Sequence, residues 1–324
     1  MLLGCRAEKY AGEILIQEDR YMIIGGRTFD FDKHFYMMGI INVTPDSFSD
    51  GGKYNDKEQA LRHAEQLVVD GADILDIGGE STRPGHVKIT ESEEMERVCP
   101  IIEKIKNTFD IPVSLDTYKS EVAKAGIKSG ADLINDIWGL KWDYVSKKGV
   151  LNSTMAKVIA KAGVPCCLMH NRKSGMKYEK TGNSLHNTTT ADDVAENDAY
   201  GYENFLEDVI EDMQESIDIA LKAGISEDKI MIDPGIGFAK DLQQNLVTMN
   251  HLGELCKLGY PVLLGTSRKS MIGLTLNLPV EQREEGTIAT SVIGYQAGCR
   301  IFRVHDVKAN IRALKMAEAI LNAG

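Results

Sequence analysis

The chain has 324 residues, 43% of them apolar, so it can bury the core of one large α/β barrel or of two ordinary domains and is not disordered. Its 37 Lys and Arg against 48 Asp and Glu give a formal net charge of -11, which excludes a general nucleic-acid binder with a basic surface but not a small anion held by a local cluster of cations. The six cysteines (Cys5, Cys99, Cys166, Cys167, Cys256, Cys299) form no C-x-x-C pair and read as reduced thiols; with no apolar leader over Met1 to Tyr10 and no apolar stretch of about 18 residues, the expectation is a cytoplasmic protein with no nucleic-acid or membrane partner.

In chain order, Arg20 to Phe31 reads as a β-hairpin turning at Gly25-Gly26. Residues 1–35 are expected to form an extension capping the bottom of a barrel that spans 36–324. The first apolar run is Tyr36 to Ile41, followed by a helical pattern at Lys57 to Val69. Gly71 then introduces the run Ile74 to Ile77. The same punctuation, a helix ending in glycine and then an apolar run, recurs along the chain. Gly130 precedes Leu133-Ile134, Gly163 precedes Pro165 to Met169, and Gly224 precedes Ile230 to Ile232. Gly259 precedes Val262 to Leu264, and Gly298 precedes Ile301 to Val304. Glycine just past a helix end takes the left-handed cap conformation cheaply, and short apolar runs between helices suit parallel strands buried on both faces.

With Ile111 to Leu115 the runs number eight. The helical patterns after the first are Glu91 to Lys106, Lys119 to Lys128, Thr154 to Ala162, Asn204 to Lys222, Leu242 to Leu258, Glu284 to Gln296 and Val307 to Leu321. Eight strand–helix pairs at this length predict a single α/β (β/α)8 TIM-type barrel. An open doubly wound sheet would carry a G-x-G-x-x-G loop after its first strand, and none is present. Lys141 to Ser153 and the polar stretch Asn171 to Tyr202 are insertions after the fourth and fifth strands.

Barrels of this class work at the C-terminal ends of their strands. There the sequence places Asn42, Gly78-Gly79-Glu80, Asp116, Asn135-Asp136, His170-Asn171, Asp233, Ser267-Arg268-Lys269, and Arg303 with His305. Singly, each has a plainer reading. Asp116 with Thr117 could be an N-cap, Asn135 and Asp136 turn residues, Asp233-Pro234-Gly235 a tight turn, Lys269 and His305 solvated side chains, and Asp76 a satisfied buried carboxylate. Met37, Met38, Met169 and Met271 read as core. Together the rim residues divide by chemistry. Asp116, Asn135 and Asp233 offer acceptors and an amide to a flat heterocycle rich in N–H and carbonyl edges, and Lys269 adds a donor. Arg303 and His305, at i and i+2, share a face and suit phosphate oxygens. Asn42 could hold a hydrated Mg²⁺ against the same phosphates. The residues alone therefore support a barrel enzyme for a planar, amide-like ring bearing a phosphate or diphosphate.

Longer motifs carry a resemblance. Gly39 to Gly52 (GIINVTPDSFSDGG) and Asp76 to Gly85 (DIGGESTRPG) resemble the two signatures of the dihydropteroate synthases. Ser114 to Thr117, Ile134 to Asp136, Asp233 to Phe238, Gly265 to Ser270 and Arg303 to Asp306 follow in that family's order, over about residues 20 to 320. The resemblance implies condensation of 6-hydroxymethyl-7,8-dihydropterin diphosphate with para-aminobenzoate, giving 7,8-dihydropteroate and diphosphate through a pterin methylene cation. It implies a pterin site of Asp116, Asn135, Asp233, Phe238 and Lys269, and a diphosphate site of Asn42, Thr82, Arg83, Arg303 and His305. Phe48, Arg83 and Ser270 would bind para-aminobenzoate. Asp116, Lys269, Asp50 and Phe48 would act in catalysis, with Mg²⁺ at Asn42. A homodimer is implied as well. A pterin-dependent methyltransferase, the nearest rival, would need no diphosphate motif. A silent pterin-binding partner should have lost some of Asn42, Asp50, Arg83, Lys269, Arg303 or His305, and all are present.

Overall fold

The computed structural model describes residues 20–43, 52–81, 88–143, 153–173, 178–181, 184–187 and 200–323. A hairpin of β1 (Tyr21–Ile24) and β2 (Arg27–Asp30) leads into the barrel. Its turn uses Gly25 and Gly26 at φ 58° and 79°, the left-handed pair that a two-residue hairpin needs. The barrel strands are β3 (Tyr36–Asn42), β4 (Ile74–Gly78), β5 (Val113–Asp116), β6 (Leu133–Asp136), β7 (Cys166–Met169), β10 (Ile230–Asp233), β11 (Leu263–Leu264) and β12 (Ile301–Val304). They pair in parallel in the order β10-β7-β6-β5-β4-β3-β12-β11, and a parallel bridge from Ile232 to Val262 closes the ring. The antiparallel β8 (Tyr178–Thr181) and β9 (Ser184–Asn187) lie in the polar insertion after β7.

The helices are α1 (Gly52–Val69), α2 (Glu91–Thr108), α3 (Ser120–Lys128), α4 (Thr154–Ala162), α5 (Phe205–Ala223), α6 (Leu242–Asn250), α7 (Leu252–Cys256), α8 (Ser270–Leu276), α9 (Glu284–Ala297) and α10 (Val307–Leu321). Two differ from the sequence reading. The expected helix over Leu242 to Leu258 is broken at His251, whose backbone (φ -116°, ψ 21°) leaves the helical region and divides α6 from α7. The short α8, which starts after the loop 265–269 that follows β11, was not foreseen, because seven residues show too little periodicity. Among the described residues no helix is long and apolar enough to cross a membrane.

Side-chain alternation sorts the core. Met37, Ile41, Leu75, Ile77, Leu115, Ile134 and Leu168 point outward and join the helices in one cluster. Met38, Ile74, Leu133, Cys167, Met231, Leu263 and Ile301 form an inner apolar layer near the strand starts. Met22, Ile24, Phe29 and Phe31 from the hairpin pack on that layer and stopper the N-terminal mouth. Two residues further along each strand, the inward positions are Ile40, Asp76, Ser114, Asn135, Met169, Asp233, Gly265 and Arg303. Within one pleat the interior thus gains Asp76, Ser114, Asn135, Asp233 and Arg303 where the layer below is apolar.

Candidate active site

The polar layer is built around Asp76, a fully buried carboxylate. It accepts from Ser114 Oγ at 2.5 Å, from Asn135 Nδ2 at 3.3 Å and from Arg303 Nε at 2.6 Å. Arg303 also donates from Nη2 to Asp116 at 2.8 Å. One guanidinium therefore joins β12 to β4 and β5 across the barrel mouth. Burial pushes the Asp116 carboxyl well above its ordinary value, Arg303 pulls it down and Asp76 adds to the rise. One cation between two buried carboxylates leaves excess negative charge beside Asp116. The satisfied-carboxylate reading of Asp76 holds, but its position makes it the organiser of Arg303 and Asn135. Asp116 is no helix cap, since α3 begins after Lys119.

Asn135 spends its amide N–H on Asp76 and so presents Oδ1 as an acceptor. Asp136 is a turn residue: its oxygens accept from the backbone N–H groups of Trp138 at 2.9 Å and Leu140 at 2.8 Å, and burial lifts its pKa to about 7 against those bonds. Asp233 does both jobs. Its Oδ1 accepts from Gly235 N–H at 2.7 Å. Its Oδ2 lies above Gly265, where a Cβ would come within 3.6 Å. Burial raises the Asp233 pKa and Lys269 lowers it. The Lys269 ammonium donates to the Ile236 carbonyl and lies 4.6 Å from the Phe238 ring centroid. Burial pulls it down to about 8, Asp233 opposing and Arg303 adding to the fall. Phe238 packs beside a small apolar cluster of Tyr118, Ile137 and Met169. A carboxylate, a carboxamide oxygen, a second carboxylate and one lysine thus converge beside an aromatic wall, a set matched to a flat ring with several N–H groups.

At the neighbouring edge, Ser267 Oγ accepts the His305 backbone N–H at 3.1 Å and meets His305 Nδ1 at 2.8 Å. With its hydroxyl hydrogen turned to Nδ1, the ring proton belongs on Nε2. Arg268, at φ 56°, is turned away to a forked pair with Asp306, with bonds of 2.7, 2.9 and 3.1 Å. Asn42 ends β3. A Cβ on Gly78 would lie 3.7 Å from Asn42 Oδ1 and 3.8 Å from Asp116 Oδ2, so the bare glycine leaves an oxygen-lined space between them. Oxygen donors of this kind fit Mg²⁺, which keeps its waters and takes the rest of its shell from substrate phosphate. Among the described residues no three acidic, His or Cys side chains form a metal cage. Ser270 begins α8 and is exposed. Phe48, Asp50, Thr82 and Arg83 lie outside the described residues.

His170, expected on the rim, lies instead in a buried polar group behind the Asp233–Ala239 turn, with Asp212 and Lys240, which the sequence reading did not single out. His170 is wholly buried, with Nε2 3.0 Å from Asp212 Oδ2 and Nδ1 2.8 Å from Lys240 Nζ. Burial and then Lys240 hold its pKa down to about 3, so the ring is neutral. Arg172 Nε donates to the same Asp212 oxygen at 2.5 Å. Burial raises the Asp212 pKa, but Lys141, His170 and Arg172 outweigh it and the net shift is downward. The available signal was Lys240 itself, a charge directly after an apolar glycine turn.

A profile of the family described as pterin binding enzyme matches residues 38–305. The chain is 51% identical over 301 residues to the dihydropteroate synthase of Clostridium beijerinckii, covering 93% of this chain and 99% of that one. It is 49% identical over 288 residues to the Bacillus subtilis enzyme of the same name, covering 89% of each. Among solved structures, the dihydropteroate synthase of Clostridium difficile, crystallised in the presence of pteroic acid, superposes with a TM-score of 0.77 at 44% identity, covering 90% of this chain and 98% of that one. The Xanthomonas albilineans enzyme with 4-aminobenzoic acid gives 0.79 at 37% identity, covering 95% and 100%.

Proposed function

We propose a working active site from one premise: the chain belongs to the pterin-binding enzyme family, among its dihydropteroate synthases. The reaction joins 6-hydroxymethyl-7,8-dihydropterin diphosphate to para-aminobenzoate and releases 7,8-dihydropteroate and diphosphate. The enzyme is a transferase of a pterinylmethyl group. One observation carries the site assignment: at the C-terminal mouth Arg303 bonds both Asp76 and Asp116, Asp76 holds Asn135, and His305 meets Ser267.

In this reading Asp116, Asn135 Oδ1 and Asp233 Oδ2 take the N–H groups of the pterin ring. Lys269 donates to the ring's carbonyl edge, and Phe238 lines its face. Arg303 and His305 Nε2–H hold the diphosphate oxygens where charge develops as the C–O bond breaks. Thr82 and Arg83 are assigned to the same subsite. The anionic Asp116 favours the pterin methylene cation left behind. The neutral aryl amine then attacks that carbon and loses an N–H proton as the C–N bond forms. Phe48, Arg83 and Ser270 are assigned to para-aminobenzoate, and Asp50 to the reacting methylene. Asn42 would hold Mg²⁺ through Oδ1, and when bound the ion neutralises charge on the diphosphate. We place the enzyme in the cytoplasm and read it as a homodimer. The free thiols of Cys99, Cys166, Cys167, Cys256 and Cys299 support the first. Exposed Leu274, Leu276, Ile293, Met316 and Ile320 on α8, α9 and α10 support the second.

The test is diphosphate release from the pterin diphosphate, with and without para-aminobenzoate, in Mg²⁺ buffer and after chelation. Release should require both the aminobenzoate and the metal. Folded protein with no aminobenzoate-dependent turnover would overturn the proposal, and turnover unaffected by chelation would remove Mg²⁺ from it.

A further inference from the structure

We infer that Lys240 is a positioning residue for the pterin ring, acting through the backbone turn that carries Phe238; this rests on the site reading above.

The turn from Asp233 to Ala239 holds three residues in the left-handed region: Gly235 at φ 68°, Gly237 at 82° and Ala239 at 48°. Only glycine fits at 235, because a Cβ there would overlap the His170 carbonyl. At 239 an alanine carries the same conformation with a Cβ, which costs free energy unless the surroundings impose it. The surroundings do so through the turn's polar groups. Gly235 N–H is held by Asp233, and Gly237 N–H by Asn245 Oδ1 at 2.6 Å. The Ile236 carbonyl accepts from Lys269, and the Ala239 carbonyl from the Tyr202 hydroxyl at 2.9 Å. Two further carbonyls of the turn, of Gly235 and Phe238, both accept from Lys240 Nζ at 3.2 Å, and that of Gly235 also accepts the Phe238 N–H at 3.0 Å.

The third N–H of Lys240 points at His170 Nδ1 at 2.8 Å. Three acceptors meet three N–H bonds, the arrangement of an ammonium group. His170 can accept there because its other nitrogen donates to Asp212, and Asp212 is fixed in turn by Arg172. A chain of buried polar contacts thus runs from α5 and the β7 loop through His170 and Lys240 to the carbonyls of Gly235 and Phe238. Its end point is the aromatic wall of the ring site, on which Lys269 also rests. Lys240 touches no substrate atom in this arrangement. It sets the position of the wall and of the carbonyl that holds Lys269.

Lys240→Met keeps the stem and removes all three donors. In the full-length protein, pterin diphosphate binding measured by calorimetry should weaken at least tenfold, and its KM should rise similarly. The KM for para-aminobenzoate and the far-ultraviolet circular dichroism should stay at wild-type values. Lys240→Gln, which restores two N–H donors, should recover part of the pterin affinity. Unchanged pterin affinity in Lys240→Met would overturn the inference, as would an equal rise in both KM values, the mark of a merely structural role. If Lys240→Met does not fold, Lys240→Gln carries the same comparison: a rise confined to the pterin KM supports the inference, and no selective rise overturns it. Wild-type protein that fails to bind the pterin diphosphate would instead defeat the site reading itself.

Discussion

Replacing Asp76 by Asn tests the polar layer at its centre. The change conserves volume and removes one charge from a site with no solvent access. Asp76 receives three donors, from Ser114, Asn135 and Arg303. A carboxamide has only one oxygen to offer them, and its NH₂ must face at least one of those donors. Breaking a buried ion pair costs about 3–5 kcal/mol. Arg303 keeps Asp116 at 2.8 Å, which puts the expected loss at the lower end, about 3 kcal/mol. For a chain of this length that is about 6 °C in Tm, at about 2 °C per kcal/mol. Urea unfolding and thermal melts measure it. The ligand readout is separate: Asn135 loses the contact that orients its amide, so pterin affinity should fall about tenfold or more, equivalent to about 1.4 kcal/mol. A variant within about 1 kcal/mol of wild type and with unchanged pterin affinity would refute the view that Asp76 organises the site.

Two further outcomes follow from charge and exposure. Burial raises the Asp116 pKa from its ordinary 3.8 to about 7 in the ligand-free protein, and N–H groups of a bound ring would favour its ionised form. Pterin binding should therefore release a proton, and affinity should rise by up to tenfold per pH unit below pH about 7 and then level off; calorimetry in buffers of different ionisation enthalpy checks both, and a flat profile refutes it. The same raised pKa gives ligand-free stability that is fully present below pH 3.8 and lost as pH rises through about 7. For the dimer, Ile293→Asp places a charge at the exposed apolar side chain of α9 and should yield monomers by light scattering; wild-type protein already monomeric at micromolar concentration would refute the interface.

Much was legible in the sequence because its signals are local. Two-sided burial makes β7 an unbroken apolar run and gives β6 and β10 apolar starts, and the polar residues that end such runs gather at the barrel mouth. That places Asn42, Asp116, Asn135, Asp233 and Lys269 on one rim before any fold is seen. Pattern failed where context decides. His251 breaks an otherwise helical stretch, and Asp136 is a turn residue while its neighbour Asn135 bonds Asp76 inside the barrel. Both have side chains that could serve either role.

By itself the sequence determined the eight barrel strands, their parallel closure, the polar rim and the family, since each rests on spacing or on long motifs. Only the tertiary structure decided which charges meet. Arg303 is 227 residues from Asp76 and 187 from Asp116, and no local pattern relates them. Barrel closure brings β12 beside β3, and strand alternation turns all three side chains into the barrel, where Arg303 spans from Asp76 to Asp116. Lys240, His170 and Asp212 come together in the same way, through packing of α5 and two loops behind the ring wall. Electrostatic partners are chosen by proximity in a medium of low dielectric, and proximity here is a property of the closed barrel.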